Sequence, residues 1–346
     1  MSDSANAWHA VGLLGPAIVL ASLITSAGLI LLLKPLFGRF ALAVPTARSS
    51  HRSLTPQWGG LAVVAAALGV ACVVLSLSPQ IGTEAVTRAY QVLLAALLLV
   101  GIGLVDDMRH LSPAPKFLVQ AIAMVMVIAT LPEGLRIVPM LPWWLERALM
   151  LVAGVWLVNI VNFMDGIDWI VVAEVVPVTA GLAVVGALGA LPPEGLVVAL
   201  ALLGAMIGFA PFNRPVAQLF LGDMGSLPIG LLLTWLLLLV AGSGHVAAAA
   251  LLPMYFVADA TVTLMRRLLA GERVWEAHRT HYYQRASDGG WSNLEIVARV
   301  FAVNLGLVAL AVGSVVANSW IADSVAVALG IGLVACLMAS FARGKR

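Results

Sequence analysis

Residues 226–241 read SLPIGLLLTWLLLLVA, an apolar run without a single charged residue. A run approaching about 20 such residues is long enough to cross a bilayer as an α-helix. Comparable runs recur from Val11 to Ala342, and 62% of the 346 residues are hydrophobic while only 10% are charged. A soluble domain of this length carries about 25% charged residues. The sequence therefore predicts a polytopic integral membrane protein.

Charged residues, prolines and glycines divide the chain into eleven candidate spans. We therefore predict an all-α bundle of 10–11 transmembrane helices that forms a single membrane domain over residues 1–346. The N-terminus has no basic segment and no obvious cleavage site, so the first run is interpreted as a retained span. The predicted spans are 11–34, 59–78, 88–105, 117–132, 147–162, 169–190, 196–212, 226–241, 245–265, 299–317 and 322–341.

The basic residues predict the orientation of these spans, because Lys and Arg accumulate in cytoplasmic loops. With the odd-numbered connections and the C-terminus assigned to the cytoplasm, sixteen of the 19 Lys and Arg residues lie on that side. We expect the N-terminus outside and the C-terminus inside. The predicted cytoplasmic loops are 35–58, 106–116, 162–168, 213–225 and 266–298. A net charge of +2 is too small to imply a nucleic-acid partner.

The carboxylates cluster in three of these loops, as Asp106 with Asp107, Asp165 with Asp168, and Asp223. A single Asp at a helix end is usually a cap, but repeated acids beside hydrocarbon are expensive and indicate a functional site. The spacing of Asp165 and Asp168 predicts that both carboxylates share one face of a helix. The other two cytoplasmic loops, 35–58 and 266–298, are basic and contain His residues. Polar groups from five loops on one side of the bundle thus predict an active-site cleft at the cytoplasmic surface.

Asp and Asn oxygens are hard ligands, so they predict Mg²⁺, with Mn²⁺ as the alternative, rather than Zn²⁺. Cys72 and Cys336 lie inside apolar runs and have no metal-ligand spacing. Mg²⁺ commonly combines one or two protein oxygens with substrate phosphates. A diphosphate substrate is therefore expected.

Three further features allow two interpretations each. The segment GDMGS (residues 222–226) is either a tight turn that caps the next helix or a phosphate-binding turn. In HRTHYYQR (residues 278–285) the two histidines share a helical face, as surface residues or as contacts to phosphate or sugar. Asp259 is either a buried charge paired with Arg266 or backbone donors, or a carboxylate that supports the site from behind.

Five segments together resemble the polyprenyl-phosphate N-acetylhexosamine-1-phosphate transferases, which include the phospho-MurNAc-pentapeptide translocase and enzymes that initiate O-antigen synthesis. The segments occur in the family's order and cover residues 45 to 285. The RSSH and HRTHYYQR forms look most like the O-antigen branch. The segments are PTARSSHRSLTPQWGG (45–60), GLVDDMRHLSPAPKFLVQ (103–120), NIVNFMDGIDW (159–169), FNRPVAQLFLGDMGSLPIG (212–230) and HRTHYYQR (278–285).

The resemblance assigns roles by position. Asn162 and Asp223 match the metal-binding pair. The remaining acids match catalytic positions: Asp106 and Asp107 near the acceptor phosphate, Asp165 and Asp168 facing the nucleotide and diphosphate. The expected substrate-binding residues are Arg48, His51, Asn213, His278, Arg279, His281 and Arg285.

Two positions depart from the family's pattern. Trp169 stands where the DGxDG pattern has its second Gly, which adds bulk beside the expected nucleotide site. Ser49 and Ser50 stand where the peptidoglycan branch offers a Lys, which argues against that branch.

The implied reaction transfers N-acetylhexosamine-1-phosphate from a UDP-sugar to undecaprenyl or another polyprenyl phosphate, with release of UMP. It would prime O-antigen or other envelope polysaccharide synthesis at the bacterial inner membrane. The expected partners are these two substrates and membrane lipid, and the sequence leaves open whether the protein forms a homodimer. An ion-coupled secondary transporter is the alternative, but it would place charges at the bilayer midplane on repeated, broken helices. A CDP-alcohol phosphotransferase would need a long Asp-rich signature on one helix, which is absent from the sequence.

Overall fold

The computed structural model describes residues 2–40, 42–43, 55–109, 111–273 and 278–345. Helices make up most of the described chain. They are α1 (Ser2–Phe40), α2 (Gly59–Ser76), α3 (Thr83–Arg109), α4 (Pro113–Ala129), α5 (Trp143–Phe163), α6 (Ile170–Ala187), α7 (Pro193–Phe209), α8 (Asp223–Gly242), α9 (Val246–Leu251), α10 (Met254–Leu269), α11 (Tyr282–Asp288), α12 (Asn293–Ala317) and α13 (Trp320–Arg343).

Two short strands lie beside the start of the bundle. β1 (Leu42–Ala43) pairs antiparallel with β2 (Thr55–Pro56). The chain that follows β2 runs along the segment before α8: the Phe220 N–H donates to the Pro56 carbonyl at 2.8 Å, and the Gly60 N–H donates to the Leu221 carbonyl at 2.8 Å. These backbone bonds fix the approach of the chain to the first residue of α8.

Within the described residues, nine helices are long and apolar enough to cross a membrane, and α4 is a shorter apolar helix. The predicted all-α membrane bundle is confirmed. The prediction of one continuous span over 245–265 is wrong, because α9 ends at Leu251 and α10 begins at Met254. Pro253 lies at this break, where its missing N–H removes a donor that a continuous helix would need, although Leu252 before it keeps helical backbone.

Helix α8 lies at the centre of the bundle. In its most apolar 18-residue stretch, 94% of the residues are buried, compared with 22% in the corresponding stretch of α1, which lies at the periphery. α8 packs against α2, α3, α5 and α9, whereas α1 packs on α7 and α2. A helix that is apolar on every side is suited to such an interior position. Leu13 and Leu32 of α1 are 72% and 73% exposed, which is expected where a helix faces lipid.

Candidate active site

The acidic pair lies at the end of α3. Asp106 accepts a hydrogen bond from the Leu111 N–H at 2.7 Å, which closes the turn between α3 and α4. Its other oxygen contacts the Lys116 ammonium at 2.7 Å. Lys116, in the first turn of α4, also lies 3.7 Å from the Asp223 carboxylate. One ammonium group therefore neutralises carboxylates from two different helices.

Asp107 connects α3 to the beginning of α8. The backbone N–H groups of Asp223 and Met224, which lie at the start of α8 where helix donors lack intrahelical partners, stabilise the charged form of the Asp107 carboxyl group. Gly222 precedes the helix with φ of +71°, a conformation that glycine adopts easily. The GDMGS segment is thus a helix-capping turn, and it places Asp223 in the first turn of α8. The Asp107 Oδ2 atom is buried, and no group in the described part of the chain donates to it.

Close packing of α3 on α8 depends on a glycine. A Cβ atom at Gly103 would lie 2.7 Å from the carbonyl carbon of Asp223 and 2.7 Å from the Met224 nitrogen. Such a distance is far inside van der Waals contact, so only glycine permits this approach. The position of the Asp223 backbone is therefore set by contact with α3.

Asn162, near the end of α5, contacts Asp223 across 61 residues of sequence. Its Nδ2 atom donates to Asp223 Oδ1 at 2.7 Å and to Ser226 Oγ at 2.9 Å. The predicted metal-binding pair is therefore brought together. The carboxyl groups of Asp106 and Asp223 also interact with each other. Two neighbouring carboxylates need a shared proton or a nearby cation.

Asp165 and Asp168 lie in the turn between α5 and α6, so the prediction that they share a face of a helix is wrong. The helix ends at Phe163, and the turn redirects the chain before Ile170. Desolvation, followed by the negative charges of Asp223, Asp168 and Asp107, raises the pKa of Asp165 to about 7. Asp165 thus belongs to the same electrostatic cluster as the acids of α3 and α8.

Asp168 and Asn213 hold the turn against the segment before α8. Asp168 is 3% exposed and accepts the Ala217 N–H at 3.1 Å. Asn213 accepts the Trp169 N–H at 2.8 Å and donates to the Leu219 carbonyl at 3.0 Å. The predicted roles of Asp168 in catalysis and of Asn213 in substrate binding stay predictions, and the contacts give both residues a place in the architecture of the turn.

Trp169 has left-handed backbone, with φ of +63°. This region favours glycine and strains a residue with a large side chain. The indole N–H donates to the Ala210 carbonyl at 2.6 Å, which anchors the ring against the end of α7. The tryptophan that replaces the expected glycine is therefore held by its own bonds on both the backbone and the side chain.

The HRTHYYQR segment runs into α11, and its histidines precede the helix rather than sharing a face of it. That part of the prediction is wrong, because His281 is the residue immediately before α11. The rings of His278 and His281 still lie together, with centroids 4.8 Å apart. Desolvation, then the neighbouring charges of His281 and Arg267, lowers the pKa of His278 to about 4. His278 is consequently neutral at physiological pH.

The two arginines of this segment have partners within it or just after it. Arg279 forms an ion pair with Asp288 at 3.1 Å. The Arg285 guanidinium lies 5.5 Å from the centroid of the Tyr282 ring. Their predicted contacts with substrate stay predictions. Arg48 and His51, the other predicted substrate-binding residues, lie outside the described residues.

A cavity of about 700 Å³ lies between α4, α5 and α10. Lys116, Asn162, His278 and His281 line it, together with apolar side chains from all three helices. Phe117 and Met265 in this lining are 44% and 51% exposed. The cavity combines basic and polar groups with a hydrophobic wall, which suits a ligand that has an anionic head and an apolar chain.

Sequence reasoning missed Lys116 and Gln120 as residues of the site. Gln120 and Asn159 form a buried amide pair in the cavity lining, with Asn159 Nδ2 donating to Gln120 Oε1 at 2.6 Å. The sequence does contain a signal for them, since Lys116 and Gln120 are polar residues four positions apart at the start of an apolar run. This spacing places both side chains on one face of α4.

The chemistry of the donors is compatible with Mg²⁺. Among the described residues, no group of three or more His, Cys, Asp or Glu side chains could hold a metal by itself. Asn162 and Asp223 nevertheless put hard oxygen donors together, since the amide presents its oxygen after a half-turn about its last bond. The partnerless oxygen of Asp107 is a further acceptor beside them. Such a set suits an ion that completes its shell with substrate phosphates and water.

Comparison with known proteins agrees with this architecture. The model for glycosyl transferase family 4 matches residues 89–241. A phospho-N-acetylmuramoyl-pentapeptide-transferase of Synechococcus sp. (strain JA-3-3Ab) is 31% identical over 290 residues, which cover 77% of this chain and 80% of the relative. The chain belongs to glycosyl transferase family 4.

Two other relatives align over similar lengths. The probable undecaprenyl-phosphate N-acetylglucosaminyl 1-phosphate transferase of Bacillus subtilis is 26% identical over 310 residues, with 82% of each chain covered. The decaprenyl-phosphate N-acetylglucosaminephosphotransferase of Mycobacterium leprae is 29% identical over 316 residues, covering 80% of this chain and 77% of the relative. The family and the polytopic membrane architecture expected from the sequence are thus confirmed.

Proposed function

We propose that this protein transfers an N-acetylhexosamine-1-phosphate from a UDP-sugar to undecaprenyl phosphate or a similar polyprenyl phosphate, with release of UMP. The observation that carries the proposal is the position of the Asn162–Asp223 pair and Lys116 at an apolar-lined cavity between α4, α5 and α10. The names of the relatives support it, since each is a transferase that handles a phosphorylated or polyprenyl-phosphate substrate. The reaction would be a priming step for O-antigen or another envelope polysaccharide.

Asn162 and Asp223 are the residues that would hold Mg²⁺, with Mn²⁺ as an alternative. When bound, the ion supplies positive charge to a diphosphate, which favours departure of the nucleotide. Lys116 supplies further positive charge from the protein, because its ammonium contacts both Asp106 and Asp223. Asp107 lies against the start of α8, where the backbone N–H groups of Asp223 and Met224 stabilise the charged form of its carboxyl group.

In the proposed reaction, an oxygen of the acceptor phosphate attacks the phosphorus attached to the sugar. The bond from that phosphorus to the bridging oxygen of the diphosphate breaks, and the electron pair leaves with UMP. The acceptor phosphate is already anionic, so positioning matters more than activation. The apolar cavity would hold the lipid end of the acceptor, while His278 and His281 line its polar part.

The site would face the cytoplasm of a bacterium, where UDP-sugars are made, and the lipid acceptor would enter from the inner membrane. This location rests on the distribution of basic residues, with sixteen of 19 on the motif side.

The test is release of UMP by purified protein in lipid nanodiscs, with undecaprenyl phosphate and a panel of UDP-N-acetylhexosamines. We expect release with at least one donor, only when both substrates and Mg²⁺ are present, and loss of release after chelation. Asp223→Asn should abolish it, whereas the matched variant Asp323→Asn, in α13, should retain it. Proton- or sodium-coupled flux without UMP release would contradict the proposal and favour a transporter.

A further inference from the structure

Asp259 in α10 is fully buried, with 0% of its surface exposed. Two donors come from its own helix, four residues on either side: the Tyr255 hydroxyl at 3.2 Å and the Thr263 hydroxyl at 3.3 Å. Three more come from the HRTHYYQR segment: His281 Nδ1 at 3.3 Å and the N–H groups of Tyr282 and Tyr283 at 2.9 and 3.2 Å. One carboxylate thus joins α10 to the start of α11.

The expected partnership of Asp259 with Arg266 is replaced by these contacts. Arg266 donates to the Thr280 carbonyl at 3.1 Å and lies 5.7 Å from the centroid of the Tyr282 ring. A buried carboxylate in a membrane protein is costly unless it is fully partnered, and such groups usually serve function. Three of its five donors come from outside α10. Holding the histidine segment is therefore its main structural effect.

The contact with His281 also fixes the chemistry of that ring. An ionised carboxylate accepts hydrogen bonds and does not donate them, so this contact favours the tautomer that carries its proton on His281 Nδ1. The remaining polar atom of the ring is Nε2, and the His281 ring lines the cavity beside Lys116 and Asn162. An acidic partner behind a histidine orients the ring.

The same anchor extends to the end of α5 and the turn between α5 and α6. Tyr283, whose N–H donates to Asp259, stacks on His281 with centroids 5.8 Å apart. Its hydroxyl donates to the Phe163 carbonyl at 3.4 Å and lies directly against Gly166. Phe163 follows Asn162 in the chain. The Asp259 contacts therefore couple the histidine segment to the end of α5, which carries Asn162, and to the turn after it, which carries Asp165.

We propose that Asp259 is a positioning residue for the transfer reaction. It holds the His281 ring with Nδ1–H directed at α10 and Nε2 available to a phosphate of the bound substrates. This inference rests on the proposed function, since the phosphate belongs to the diphosphate donor or the lipid acceptor. Asp259 itself touches neither substrate and acts through His281.

A double-mutant cycle tests this dependence. Asp259→Asn and His281→Gln should each lower kcat for UMP release by about 10- to 100-fold, the range found for outer partners of metal-bound histidines. Because both changes disable the same ring, kcat of the double variant should lie within about threefold of kcat of the less active single variant. Multiplied losses would overturn the proposal. The control is Thr263→Val, which removes a donor to the same oxygen from within α10 and should stay within about threefold of wild type.

A measurement on the unaltered protein covers the case in which Asp259→Asn fails to fold. Nitrogen NMR of histidine-labelled protein in nanodiscs reports which ring nitrogen carries a proton, and His281→Gln assigns the signal. A proton on Nδ1, in the neutral or the charged ring, supports the proposal, and a ring protonated only on Nε2 refutes it. Failure of wild type to release UMP with any donor would instead refute the proposed function, because the NMR result does not depend on turnover.

Discussion

Lys116 contacts carboxylates of two helices, Asp106 at 2.7 Å and Asp223 at 3.7 Å. Lys116→Met would leave these acids without that ammonium at the point where an anionic substrate must approach. We expect the rate of UMP release to fall by about 10²-fold or more, as when one preorganised donor is removed from an active site. The measurement is steady-state kinetics with the donor and the lipid acceptor varied separately.

Lys345→Met is the matched control for this prediction. Lys345 contacts Glu295 at 2.7 Å on the surface near the C-terminus. A solvent-exposed pair of this kind contributes little to stability, so the control should keep wild-type activity. Equal activity of the two variants would show that Lys116 does not contribute to the active site.

Trp169 allows a comparison that isolates backbone strain. Replacement by Gly or by Ala removes the indole and its bond to the Ala210 carbonyl alike, but only Gly adopts φ of +63° without strain. We expect Trp169→Gly to be more stable than Trp169→Ala by about 1 kcal/mol. The corresponding pair at Val172, inside α6, should show the opposite order, because Ala is favoured in a helix by about 1 kcal/mol. Thermal unfolding in detergent measures both differences. The same order at both positions would contradict the strain at Trp169.

Residue types predicted much of the site, but spatial relations were predicted unevenly. Asn162 and Asp223 were paired through resemblance to a family, and the structure brings them to 2.7 Å. The relation of Asp165 to Asp168 was inferred from helical spacing, which fails because the helix ends at Phe163. The five donors of Asp259 come largely from a segment more than 20 residues away, and no local pattern indicates such a contact.

Helix boundaries show a similar division between what composition determines and what packing determines. The long apolar runs predicted the spans because the bilayer requires continuous helices. The separation of α9 from α10 was not predicted, although Pro253 marks it. Proline within an apolar run is tolerated in many membrane helices, so its presence alone does not identify a break.

Gly103 and Gly101 form a natural pair for testing how α3 positions α8. A Cβ atom at Gly103 would lie 2.7 Å from the Asp223 backbone, whereas one at Gly101 meets nothing within 4 Å. Gly103→Ala should therefore displace the first turn of α8, lower activity at least about tenfold and destabilise the protein by about 1–3 kcal/mol. Gly101→Ala should retain activity and stability. UMP release and thermal unfolding provide the two measurements, and an active, stable Gly103→Ala variant would contradict the close packing.

At the scale of the whole molecule, the polar chemistry is concentrated at one end of an apolar bundle. At that end of the bundle, α3, α5 and α10 finish and α8 begins. α8 is the interior helix, and 94% of its most apolar 18-residue stretch is buried. In the proposed reaction, this arrangement would give a water-soluble donor and a membrane-embedded acceptor access to the same cluster from different directions. It also makes orientation in the membrane decisive, because the donor must be on the side of the motif loops.

The last prediction is that orientation: N-terminus outside, C-terminus in the cytoplasm, with the motif loops cytoplasmic. It follows from the sixteen-to-three division of basic residues. Single cysteines at Ser287, beside the histidine segment, and at Glu133, exposed in the α4–α5 connection, probe the two sides in a background without Cys72 and Cys336. In intact spheroplasts a membrane-impermeant maleimide should label position 133, and it should label position 287 only after permeabilisation. Retained UMP release in both variants is the control for native folding. Labelling of position 287 from outside, with position 133 protected, would invert the topology and place the site on the side opposite to its donor.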